Sequence, residues 1–122
     1  MAGAALATPE IQAQLISEAL QSASVGFLVW DEDLRYIAAN ACACEILGTT
    51  LEELLGQKVG AHTDQSAEAI DTALRSGFHT GTAWVNRMDG RGRVEVYYAT
   101  FTTKTAGMPF MATVLSPVVS AA

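Results

Sequence analysis

The side chains whose types could do chemistry are few: Cys42 and Cys44, His62 and His79, and the carboxylates of Asp31-Glu32-Asp33. The cysteines lie two positions apart in a helical pattern, where about 100° per residue turns their side chains about 200° apart. They cannot easily bridge each other, and they supply neither a disulfide framework nor a four-ligand metal set. A redox-active thiol needs an electropositive setting, yet the residue after Cys44 is Glu45. The expectation is a pair of small, buried, reduced side chains. Neither histidine is spaced with a cysteine, or with a serine and a carboxylate, for nucleophilic catalysis, and no Walker loop, zinc-protease helix or dinucleotide fingerprint is present. The chain is therefore expected not to be an enzyme and to hold no metal.

Composition narrows the partners. A chain of 122 residues is the size of one domain, and such a domain buries roughly two-thirds of its unfolded surface. Half of the residues are hydrophobic and 16% are charged, too apolar for a disordered chain and too interrupted for a membrane span. Lys plus Arg is 7 and Asp plus Glu is 13, so the net charge of −6 repels nucleic acid and anionic membrane surfaces. The longest apolar stretch, Met108 to Leu115, falls far short of the roughly 20 residues of a spanning helix. The opening MAGAALATPE lacks the cationic and apolar regions of a secretory signal, so a cytoplasmic location is expected.

Residues 1–7 are small and featureless, and are expected to be flexible. A helix follows over 8–23, with Thr8 as N-cap, Pro9 at the first helical position and Glu10 at the positive dipole end. Ile11, Leu15, Ala19 and Ala23, flanked by Ile16 and Leu20, recur at helical spacing. That apolar face either covers the domain's own sheet or pairs with a second subunit. Residues 24–117 form the domain proper, and 118–122 a tail or the start of a linker. Val25 to Trp30 is a strand, Asp31-Glu32-Asp33 turns the chain, and Arg35 to Ala39 returns it as a hairpin. Asn40 caps the helix Ala41 to Leu47, which Gly48 stops. Thr50 and Glu53 form a capping box for a short helix ended by Gly56. Gln57 to Gln65 is irregular, and Ser66 to Ser76 is helical with Gly77 as its stop. Three antiparallel strands complete the chain: Phe78 to Met88, Arg93 to Thr105 and Met108 to Leu115, with turns at Asp89-Gly90-Arg91-Gly92 and Ala106-Gly107. Alternation puts Val94, Val96 and Tyr98 on one face of the second of these, and Glu95, Tyr97, Ala99 and Phe101 on the other.

The strand at Val25, the acidic turn, Asn40, the helix stopped by Gly48 and the Thr50-Leu51-Glu52-Glu53-Leu54-Leu55-Gly56 segment resemble the front half of a PAS domain, a sensory and dimerisation module of signalling proteins. The resemblance extends over about Ser22 to Pro117. It implies an α+β fold with a five-stranded antiparallel sheet in the order second, first, fifth, fourth, third strand, short helices on one face and the amphipathic helix ahead of it. It implies an interior pocket for a small apolar ligand, for which the sequence offers Leu47, Leu55, Val59, Ile70, Leu74, Trp84, Tyr98 and Met111. It also implies a homodimer, with Ile11, Leu15, Ala19, Leu20, Tyr97 and Phe101 as interface residues, passing a signal to an output domain or partner protein. The alternative is a ligand-free dimerisation or adaptor module. No cofactor is evident. Haem-binding members commonly take a proximal histidine from the connector helix; Ala67 to Arg75 has none, which leaves only His79 just beyond it and His62 at the pocket mouth as haem candidates. Flavin photosensors carry a reactive cysteine after the second short helix, and Gln57 to Gln65 contains no cysteine.

Overall fold

The computed structural model describes residues 6–64, 67–105 and 108–118. Residues 1–5 of the expected flexible start at 1–7, the connector-helix start at Ser66, the Ala106-Gly107 turn and the tail beyond Val118 lie outside the described residues. Helix α1 spans Pro9–Gln21, followed by strands β1 (Gly26–Trp30) and β2 (Tyr36–Ala39), helices α2 (Ala41–Leu47), α3 (Leu51–Leu54) and α4 (Ala67–Ser76), and strands β3 (Phe78–Asn86), β4 (Arg93–Thr105) and β5 (Met108–Pro117). The strands make one antiparallel sheet in the order β2-β1-β5-β4-β3, the α+β arrangement expected.

Local chemistry sets most boundaries. The Asp31 carboxylate accepts the N–H groups of Asp33 and Arg35 at 3.0 and 3.1 Å, closing the β1–β2 turn, and Leu34 takes a left-handed φ of 62° there to bring its side chain against the core. Asn40 caps α2 by accepting from Ala43 N–H at 3.0 Å, and Gly48, at φ 69°, ends it in the left-handed cap that glycine takes without a Cβ clash. Two expected caps differ. Thr8 stands at the N-cap of α1 without a side-chain bond, and only its carbonyl opens the ladder. Thr50 accepts from Glu53 N–H at 3.2 Å, but the Glu53 carboxylate takes the Thr49 hydroxyl at 3.4 Å instead of closing the box. Arg87 pairs with Asp89 at 2.7 Å and donates to the Glu45 carbonyl at 2.9 Å, so it neutralises the C-terminal end of α2. Strand β3 ends at Asn86, two residues before the expected Met88.

The core lies between the inner face of the sheet and α2, α3 and α4, with Leu54 and Val85 its largest fully buried side chains. Gly26 is needed for this layer: a Cβ there would stand 2.7 Å from Leu115 Cδ1 and 3.1 Å from the Ala43 Cα, so α2 rests directly on β1. The Asn40 side chain binds this corner together. Its oxygen accepts from Phe27 N–H at 2.9 Å as well as from Ala43, and its nitrogen donates to the carbonyls of Val25, at 3.0 Å, and Leu20. Replacing Asn40 by Ala is expected to lower the unfolding free energy by about 2–4 kcal/mol, since four partners lose their bonds at a site 6% exposed. Urea denaturation checks the magnitude, and faster hydrogen exchange through α1 is expected to accompany it.

Candidate functional site

Inward-facing residues follow from strand parity. Leu28 and Trp30 of β1, Thr113 and Leu115 of β5, Val96, Tyr98 and Thr100 of β4, and Ala83 and Val85 of β3 share the inner face in register. With Tyr36, Leu47, Val59, Thr63, Ile70 and Ala73 on the opposite side, they enclose a cavity of about 40 Å³. The cavity is mostly apolar, with one cluster of polar groups on its sheet wall. There the Trp30 indole N–H donates to Thr113 Oγ1 at 3.0 Å, and the hydroxyls of Thr113 and Thr100 are 2.9 Å apart. The Tyr36 hydroxyl stands on the helix side, where burial pushes its pKa up to about 12, opposed by the Gly60 backbone N–H.

Four of the eight residues offered for the pocket, Leu47, Val59, Ile70 and Tyr98, line this cavity. Four do not. Trp84 sits between the inward Ala83 and Val85, so parity turns it outward, where it is 39% exposed beneath the Arg93 guanidinium at 4.7 Å. Leu74 is one residue past the inward Ala73, about 100° around α4, and is exposed. Leu55 caps α3 after the inward Leu54 and is likewise exposed. Met111 is buried opposite Trp30, in the core but off the cavity wall. Sequence reasoning missed Trp30, Tyr36, Thr63, Thr100 and Thr113. Thr100 was within reach of the alternation, being the next inward position after Tyr98.

On the other face, α1 flanks β1 and β2 across an open groove of about 740 Å³. Ala13, Ile16, Ser17 and Leu20 line it from the helix, and Phe27, Val29 and Ala38 from the sheet. Of the residues offered for a dimer interface, Leu20 borders this groove, while Ile11, Leu15 and Ala19 lie outside it and are exposed. No residue of α1 is buried. Tyr97 is 56% exposed and Phe101 half-buried; both point out from β4, where Phe101 pairs in register with Ala112 of β5 and Phe78 of β3. An apolar stripe therefore crosses the outer face from Val29 through Ala112 and Phe101 to Phe78.

The reactive types are not gathered. Among the described residues no group of three or more His, Cys, Asp and Glu side chains could hold a metal. Burial pushes both thiols up, helped at Cys42 by the Glu45 charge, which favours the unreactive thiol; both cysteines are only half-buried. His79 packs its ring 5.7 Å from that of Tyr98, and neither histidine lines the cavity. A 40 Å³ space without a histidine on its wall does not fit haem. Among the described residues no helix is long and apolar enough to cross a membrane.

The described residues thus form a sheet with helices packed on its inner face around a mostly apolar cavity and an N-terminal helix on the far face, an α+β module. A family model described as the PAS fold matches residues 20–104, more than half of the chain, and the chain belongs to that family. No curated protein is a significant match. Among solved structures, the PAS domain of an HTR-like protein from Haloarcula marismortui matches with TM-score 0.76 at 18% identity, covering 89% of this chain and 93% of that one. A PAS domain from Colwellia psychrerythraea matches with TM-score 0.76 at 16% identity, covering 88% and 97%. The PAS domain of nitrogen regulation protein NR(II) from Vibrio parahaemolyticus matches with TM-score 0.73 at 16% identity, covering 85% and 98%. At these identities the likeness is one of fold.

Tyr36 sets a pH dependence. Its folded pKa is raised, so the stabilisation of the neutral phenol is complete below about pH 10 and is lost as pH rises towards about 12. Ultraviolet titration of the folded protein is expected to show one tyrosine that resists ionisation until about pH 12. The unfolding free energy is expected to fall by on the order of 2 kcal/mol across that interval, and Tyr36→Phe to flatten this slope.

Proposed function

We propose that the protein is a non-catalytic sensor module of signal transduction, in which a small, mostly apolar ligand in the core cavity biases the sheet and a homodimer passes the change to an output domain. The observation that carries this reading is the placement of the cavity directly behind the apolar outer stripe, with β4 and β5 common to both. The strands leave no layer between them: Thr100 and Thr113 face the cavity, while their neighbours Phe101 and Ala112 face outward. Family membership supports the assignment, and so do fold relatives described as nitrogen regulation protein NR(II) and as a two-component sensor histidine kinase. The acidic surface and the lack of a reactive cluster among the described residues favour a cytoplasmic signalling role over nucleic-acid binding or catalysis.

The dimer is assigned to the exposed row Ile11, Leu15 and Ala19 together with Leu20, Tyr97 and Phe101. Light scattering behind size exclusion is expected to give a dimer for the wild type and a monomer for Leu15→Glu and Tyr97→Glu, with little change in melting temperature because both side chains are exposed. A wild-type monomer at concentrations of tens of micromolar would remove dimerisation from the proposal. The sensing step is tested by native mass spectrometry of the protein as purified. A bound small molecule is expected, and Ala83→Leu, which extends a side chain into the cavity at a cost of about 1–3 kcal/mol, is expected to displace it from a still folded domain. Equal ligand occupancy in Ala83→Leu would move the ligand site elsewhere.

A further inference from the structure

The polar wall of the cavity has more hydrogens than acceptors. Trp30 Nε1–H, Thr113 Oγ1–H and Thr100 Oγ1–H are three donors in contact, and they make two bonds: indole to Thr113, and one hydroxyl to the other. Whichever threonine donates in the shared bond, the hydrogen of the other is left over. Neither hydroxyl has a further partner among the described residues, and both residues line the cavity, with Thr100 3% exposed. A buried hydroxyl hydrogen without an acceptor costs free energy that a partner restores. The lining residues include no Asp, Glu, Lys, Arg or His, so nothing there compensates a buried ion.

Resting on the reading of this cavity as the ligand site, we infer that it selects a small neutral molecule bearing a hydrogen-bond acceptor, of the carbonyl class, with that oxygen on the Thr100–Thr113 pair and its apolar remainder against Leu28, Val96 and Leu115. The size follows from the volume: 40 Å³ has room for roughly three water molecules, which corresponds to a compound of few non-hydrogen atoms. A larger ligand requires α4 and the Val59–Thr63 segment to move outward. The indole bond fixes the pair in place, because it holds the Thr113 oxygen at 3.0 Å.

Acetone and isobutene test this, since they share a shape and differ in the acceptor. Binding of each to the full chain is followed by NMR shifts of the core methyl groups, in wild type, in Thr100→Ser and in the triple variant Trp30→Phe/Thr100→Val/Thr113→Val, which removes all three donors. The ratio of acetone to isobutene affinity is expected to fall about fivefold or more in the triple variant, and to be retained in Thr100→Ser. A carbonyl-carbon shift of labelled acetone bound to the wild type that lies downfield of acetone in an apolar, non-donor solvent is a second readout, which needs no variant to fold. An unchanged ratio together with a carbonyl shift equal to that in the apolar solvent, while both probes bind, overturns the acceptor preference and leaves the cavity a ligand site. Failure of both probes to bind the wild type overturns the ligand-site reading itself and the inference with it.

Discussion

The constraint on which the rest of the molecule depends is the fully engaged amide of Asn40. One planar group, at the junction of β2 and α2, accepts from Phe27 of β1 and Ala43 of α2, and donates to the carbonyls of Leu20 in α1 and Val25 in the link before β1. Its own backbone N–H adds a bond to the Phe27 carbonyl at 3.0 Å. Buried peptide groups that neither strand nor helix can satisfy are thus met by a single side chain. The chemistry requires an amide. A carboxylate could accept both N–H groups but would face two carbonyls without a donor, and an apolar side chain would leave all four unpaired. The same group also ties α1, which has no buried residue of its own, to the domain.

Around that junction, the strand period does the sorting. Every inward residue that bounds the cavity from the sheet has an outward neighbour on the face towards α1: Leu28 beside Phe27 and Val29, Thr100 beside Ala99 and Phe101, Thr113 beside Ala112 and Val114. Close packing permits little slack between the two, because Gly26 brings α2 against β1 and Ala112 is only 1% exposed. Thr100 and Thr113 thus share their strands with the outward Phe101 and Ala112, with no layer between the two faces.

How much of this is legible in the sequence depends on whether the deciding interaction is local. The stops at Gly48 and Gly77, the Asn40 cap and the Asp31 turn are satisfied within a few residues, so residue type and spacing were enough to place the elements. Sheet order was carried by resemblance, not by periodicity. The side-chain assignments that missed depend on neighbours far along the chain. Trp84 is apolar in a strand whose inward set is His79, Gly81, Ala83 and Val85, a parity visible only once β3 is registered against β4. Leu55 and Leu74 each stand beside the residue that their helix turns inward, and hydrophobicity alone cannot choose between Leu54 and Leu55 or between Ala73 and Leu74. The Arg87 contact is equally hidden from local reasoning, because its partner carbonyl on Glu45 is 42 positions away. On α1, Ile11 and Leu15 follow the same periodicity as Ile16 and Leu20; only the position of the sheet decides which row borders the groove.

The cavity's polarity has the same origin in distant pairing. Threonine is a common strand residue, and neither Thr100 nor Thr113 is distinctive in sequence. They become a site because β4 and β5 pair them directly, while β1, on the other side of β5, brings the Trp30 indole diagonally onto Thr113. Two side chains suited to a solvated sheet are thereby buried with an odd hydrogen among apolar neighbours, at the one wall shared by the three central strands. Valine at both positions would keep nearly the same shape but would leave the Trp30 indole N–H without its acceptor. The indole N–H thus requires at least the Thr113 oxygen, and the hydrogen left over in the pair is the one that the proposed ligand's acceptor would engage.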